Sequence, residues 1–248
     1  MHEYWEGYMK PLEGNKAMIA FNAGVSDYVP DEEYPYMAFM KVKLNTPKED
    51  GLVDEEESDD IGFIEDRLEM ESLRYKAGQY IGRIITKGEV NFIYYLKLDF
   101  EWKNIVDDTM AYFKNYKFEF GSKMDMEWEI YTKLLFPTLR EWQLITNRHA
   151  CAQLQEEGDT LQAKRAIEHT IYFNTSEDKE SFKKLMEVEG FKTLKEIELT
   201  DKLVKFGLKF YRVDAPDYYN IDAITMKIID MSEKSQGQYD GWETSLVK

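Results

Sequence analysis

The chain has 248 residues, 43% of them hydrophobic and 15% aromatic, which is material for one large packed domain or two ordinary ones and excludes wholesale disorder. Its single cysteine, Cys151, excludes an internal disulfide and suits a reducing compartment. A net charge of −16 sets the chain against direct nucleic-acid binding and favours a basic protein partner.

The start, Met1-His2-Glu3-Tyr4-Trp5, has neither the basic region nor the apolar run of a signal peptide. No window approaches the uninterrupted apolar length of a membrane span, so a cytoplasmic protein is expected. Two strands, near Tyr4 to Lys10 and Lys16 to Phe21, are followed by a third in which Ala38, Met40, Val42 and Leu44 alternate. The acidic run Asp54 to Asp60 then leads into a helix carrying Ile61, Ile64 and Leu68. It lacks the alternating ligands and glycine of a calcium loop, and reads as a solvated helix start favoured by the macrodipole. Strands Tyr80 to Thr86 and Val90 to Leu98 are joined at Lys87-Gly88 by a tight turn. A helix bearing Trp102, Ile105, Val106, Met110 and Phe113 and a strand at Lys117 to Phe120 complete a βαββαβ order with two strands added in front.

A helical connector follows. Trp128, Tyr131 and Leu134-Leu135 share a short helix that Pro137 terminates, and Trp142, Ile145, His149 and Ala152 mark a longer one ending before Gly158. Beyond it, Ile167, His169, Ile171 and Phe173 share one face of a strand. Thr175 and Asp178 have the spacing of a helix N-cap, Phe182, Leu185 and Met186 follow at helical spacing, and Gly190 sits at the C-cap. A short strand near Leu194 to Leu199 precedes a stronger one from Leu203 to Val213, in which Val204, Phe206, Leu208 and Phe210 point one way. Ile221, Ile224, Ile228 and Met231 mark a second helix, ended by Gly237, and Tyr239 to Val247 supplies a last strand. This is again βαββαβ.

The fold expected is therefore α+β: two ferredoxin-like βαββαβ domains with antiparallel sheets, at 1–136 and 164–248, joined by a helical connector at 137–163. Charge divides unevenly along it. Lys164 to Lys248 carry a net −2, and residues 1–163 a net −14.

No chemistry-bearing motif stands out. His2, His149 and His169 lie in different elements without ligand spacing, so no metal site and no cofactor are expected. His169 is expected to face its core with both ring nitrogens hydrogen-bonded. Cys151 and His149 are two apart on one helix and cannot face each other, and no glycine-rich phosphate loop is present. The closing Tyr239-Asp240-Gly241-Trp242 supports two readings. In one, Trp242 buries its ring, Gly241 permits a bulge and Asp240 bonds nearby backbone. In the other, Tyr239, Asp240 and Trp242 form the anchor for a partner protein.

Two resemblances follow from these residues. From about Arg165 to the end, the Glu168-His169 strand, Gly190-Phe191, Ile221-Asp222-Ala223 and the closing Tyr239-Asp240-Gly241-Trp242 resemble the regulator of ribonuclease activity B family. Glu243 stands where the well-known members carry Gly, and the near-neutral domain lacks their acidic tails. The resemblance implies a bacterial protein that binds ribonuclease E, whose scaffold is rich in Arg and Lys. Residues 1 to about 136 resemble the domain-of-unknown-function 695 family through Trp5, Gly51-Leu52, Asp125 to Tyr131 and Phe136-Pro137. That family implies architecture and no chemistry. The function expected is a non-enzymatic, protein-binding regulator. Its rival is an enzyme or small-ligand binder with a site in the interdomain cleft. Partner identity and oligomeric state are not legible.

Overall fold

A computed structural model describes residues 4–198 and 205–248. The chain divides into two compact units, Met1–Pro137 and Thr138–Lys248.

In the first unit, β1 (Trp5–Leu12) and β2 (Asn15–Asn22) form a hairpin and are followed by β3 (Tyr36–Lys43), α1 (Glu55–Tyr75), β4 (Gly78–Thr86) and β5 (Glu89–Leu96). α2 (Trp102–Met110) and β6 (Lys117–Met124) complete the sheet, whose order is β1-β2-β4-β5-β3-β6 with every pairing antiparallel. The last four strands take the ferredoxin-like arrangement, with β3 and β5 central, and β2 and β1 extend the sheet beyond β4. Alternation decides the two faces. Ala38, Met40, Val42, Phe92 and Tyr94 pack under α1 and α2, while Tyr95 points the other way and stacks on Trp128 with ring centroids 3.8 Å apart. The Lys87-Gly88 turn has both residues at positive φ, as a two-residue hairpin requires.

The acidic run corrects one expectation. Asp54 caps α1 by accepting from the Glu56 amide, but Glu57 is buried, not solvated. Its carboxylate accepts from the Asn45 and Thr46 amides and the Thr46 hydroxyl at 2.7–3.1 Å, tying the preceding loop to the helix. A charge run reads as surface because a sequence does not show which acidic side chain has backbone donors above it.

The segment after β6 is a π-helix, Ile130–Leu135, and Trp128 precedes it with φ of 52° instead of lying within it. Asp125 organises this segment. Its carboxylate accepts from the Tyr95 hydroxyl at 2.6 Å and from the Glu129 and Ile130 amides at 2.9 and 3.1 Å. Burial pushes the Asp125 carboxyl up, yet these donors outweigh it and hold it below the usual carboxylate range.

The second unit opens with α3 (Leu139–Glu156), started by a full capping box between Thr138 and Glu141. Then come β7 (Arg165–Phe173), α4 (Ser176–Val188), β8 (Lys192–Glu198), β9 (Phe206–Asp214), α5 (Tyr218–Lys234) and β10 (Gln238–Thr244). The antiparallel order β10-β7-β9-β8 is again ferredoxin-like, with the two most apolar strands in the centre. Ile167, Ile171, Phe173, Leu208 and Phe210 meet Phe182, Met186, Ile221 and Ile228 in its core, which Cys151 of α3 joins. The strand assignments at Leu199, Leu203 and Val204 fall outside the described residues.

Two boundaries differ from expectation. The left-handed residue that closes α5 beyond Lys234 is Gln236, not Gly237, and the Gly237 amide closes back on the Ser232 carbonyl at 2.8 Å. Gly237 is required for space, since a Cβ there would lie 2.6 Å from the Phe173 ring. β10 stops at Thr244, and the Val247 amide then donates to buried Asp159, which also holds Arg165 at 2.5 Å.

Candidate functional site

The closing motif forms its site through a backbone irregularity. β10 is an edge strand, and its register on β7 shifts between Tyr239 and Gly241, leaving Asp240 bulged outward and Gly241 at a φ of 131°. In a regular strand, residues three apart face opposite sides. The extra residue cancels that alternation. Tyr239 now lies opposite Ile171 and Trp242 opposite His169, two positions on the same core-facing side of β7.

Both aromatics are half-buried, and each commits its polar end inward. The Tyr239 hydroxyl meets the His169 Nδ1 at 2.8 Å, and the Trp242 Nε1–H donates to the Asn147 Oδ1 at 2.8 Å. Because an indole only donates, the Asn147 amide must present its oxygen here. That oxygen also accepts from Gln143, and the Asn147 Nδ2 donates to Asp222 and Thr225 of α5 at 3.0 and 2.8 Å. A fully buried asparagine on α3 thus joins α5 to β10.

His169 is buried against Phe191 and Phe210. One expectation for it is corrected: only Nδ1 is hydrogen-bonded, and Nε2 finds no partner among the described residues. Burial first, and the Arg212 charge second, lower its pKa to about 3, so it is neutral at physiological pH. Cys151 donates to the Pro216 carbonyl, and burial raises its pKa to about 11, which keeps it as the thiol at physiological pH. No group of three or more metal-ligating side chains stands together among the described residues.

What remains exposed is a groove of about 1060 Å³ along the β10 edge, between Leu139, Trp142 and Thr146 of α3 and Tyr239 to Glu243. Its other lining residues include Tyr172, Lys209, Ile229 and Glu233. The half-exposed rings of Tyr239 and Trp242 form part of its wall, and Leu139 is 88% exposed at its end. Two of its carboxylates are committed: Glu243 to Lys209 at 2.6 Å, and Glu233 to Arg140 at 2.8 Å. Asp240 departs from the first reading of the closing motif, since its side chain bonds no backbone among the described residues. It is exposed and forms no ion pair among the described residues, because the bulge turns it out of the sheet.

All three residues singled out in the sequence therefore lie on one groove. Asn147, Trp142 and Leu139, its partners from α3, were not legible as site residues. The available signal was a polar Asn147 at helical spacing with Cys151 and Leu154, in what is otherwise a core-facing stripe.

Residues 3–136, over half of the chain, match the model of a family of unknown function, DUF695. The chain belongs to that family. Residues 144–244 match the model described as regulator of ribonuclease activity B, and this span holds Asn147, Tyr239, Asp240 and Trp242. No curated protein matches the chain. Two solved structures, an unknown protein from Galdieria sulphuraria and a "putative glycine cleavage system transcriptional repressor", are each 8% identical to it and match 85% of this chain and 98% of theirs. Their TM-scores are 0.25 and 0.26, and neither likeness carries an argument about this chain. No helix among the described residues is long and apolar enough to cross a membrane.

Proposed function

We propose that this chain is a non-enzymatic, protein-binding regulator of the bacterial cytoplasm that acts on RNA turnover through a ribonuclease partner. The partner docks in the groove between β10 and α3 and contacts Tyr239, Asp240 and Trp242. The observation that carries this reading is the β10 bulge, which aligns two aromatic walls and turns one unpaired carboxylate into the same groove. Rigid aromatic surface beside a charged rim is the usual make-up of an interface anchor. The match of residues 144–244 to the model described as regulator of ribonuclease activity B supports a ribonuclease as the class of partner. The free Asp240 calls for a basic segment with apolar side chains, whose Arg or Lys meets that carboxylate while its apolar part covers the indoles.

Titrating the full chain with a peptide from the Arg- and Lys-rich scaffold of ribonuclease E, followed by tryptophan fluorescence, tests this reading. Asp240→Asn and Leu139→Ala change exposed side chains, and each is expected to weaken binding by about two- to fivefold. Binding should also weaken between about 50 and 300 mM salt as the Debye length shortens. Absent binding, or binding that both variants leave unchanged, would overturn the groove as the docking site.

A further inference from the structure

The strand edges of this protein are unequally protected. An open edge offers unpaired backbone groups to any other strand, and proteins blunt it with proline, bulges or charge. β1 carries Pro11, β10 carries the bulge at Asp240, and β8 carries a register irregularity between Thr193 and Lys195. β6 has neither proline nor bulge, only the charges of Lys117, Glu119 and Lys123, which are of both signs and can pair across a second copy. It pairs with β3 residue for residue, from Lys117↔Lys43 to Met124↔Tyr36, and its outer side is open. Phe118, Phe120 and Met124 share one face of it and are 40%, 36% and 61% exposed. Lys117, Glu119, Gly121 and Lys123 share the other.

We infer that β6 is a self-association edge, and that two copies of this chain pair antiparallel along it to continue both six-stranded sheets into one. The sequence of β6 selects the register. With Gly121 on the two-fold axis, each residue faces its complement in the second copy. Phe118 lies opposite Met124, Phe120 opposite Ser122, and Glu119 opposite Lys123, with every pair repeated by symmetry. Diagonal neighbours then merge Phe118, Phe120 and Met124 of both copies into one apolar stripe. Shifting the axis to Phe120 would set Lys117 against Lys123, and shifting it to Glu119 would set that glutamate against itself. Lys123 forms no ion pair within its own chain among the described residues, and Glu119 accepts only from Lys41, at 2.6 Å. This pairing gives Lys123 a partner and Glu119 a second one. It is independent of the groove on the second unit.

Sedimentation of the full chain across a dilution series tests the inference, with circular dichroism to confirm folding. The wild type is expected to dimerise. Glu119→Lys or Lys123→Glu alone places two like-charge pairs in the interface and should raise the dimer dissociation constant at least about tenfold. The double exchange Glu119→Lys/Lys123→Glu restores opposite charges and should recover the dimer to within about threefold. A wild type that stays monomeric overturns the inference. So does a dimer indifferent to the single reversals, or a double exchange that fails to recover.

Discussion

Trp242 of β10 donates its indole N–H to the side-chain oxygen of Asn147 on α3, at 2.8 Å and 95 residues away in sequence. The same asparagine donates to Asp222 and Thr225. One amide therefore couples three elements that have no local reason to meet, and it does so where the groove is formed.

Removing either end should be costly in different ways. Trp242→Ala is expected to destabilise the second unit by about 2–4 kcal/mol, less than a fully buried tryptophan because the ring is half-exposed. Asn147→Ala strands the Trp242 N–H and removes the amide donor to Asp222 and to Thr225, whose hydroxyl still donates to the Ile221 carbonyl, at about 2–3 kcal/mol. Urea melts of both variants and of the pair would show a coupling of roughly 1 kcal/mol. Additive losses would mean that the hydrogen bond contributes nothing of its own.

Acid should weaken the second unit before its carboxylates titrate. His169 binds its proton at about pH 6.5 when unfolded but only near pH 3 when folded. The unfolded state therefore holds more protons between those values, so stability falls as pH drops from 6.5 toward 3. The loss is of order 2 kcal/mol by pH 5, above the range where the carboxylates contribute. His169→Phe/Tyr239→Phe removes both polar partners together and should melt near the wild type at pH 7, with a flatter profile down to pH 4.5. An unchanged profile would place the acid sensitivity elsewhere.

Asp125 should be the most sensitive carboxylate of the first unit. Asp125→Ala frees the Tyr95 hydroxyl and two backbone amides, for an expected loss of about 2–4 kcal/mol. Asp125→Asn keeps an acceptor and should lose less. Thermal melts of the full chain separate the two, and equal losses would argue against the hydrogen bonds as the cause.

The shortest self-sufficient piece of the second unit is expected to include α3. A 138–248 fragment keeps Asn147, Cys151 and the Asp159–Arg165 pair, whereas 165–248 loses all three contacts and uncovers α5. Comparing their amide NMR dispersion and urea midpoints should show the shorter fragment at least about 3 kcal/mol weaker. Equal stability would make α3 an accessory to that fold.

Both ferredoxin-like arrangements were legible because their signals are local. Alternation at Ile167, His169, Ile171 and Phe173, the Thr175 cap, the Lys87-Gly88 turn and the apolar spacing of α5 each depend on neighbours a few residues away. The terminal Tyr-Asp-Gly-Trp was legible as a special stretch, and Gly241 as a place for a bulge. Tertiary structure alone decided the rest. Whether Glu57 is solvated depends on which backbone amides stand over it, and whether Gly237 caps a helix or makes room depends on Phe173. Trp242 and Tyr239 face one side only because β10 slips by one residue against β7, and their polar ends find Asn147 and His169 only once α3, α5 and the sheet have packed. Those pairings are set by the geometry of distant elements, and a pattern with a range of one helical turn carries no record of them.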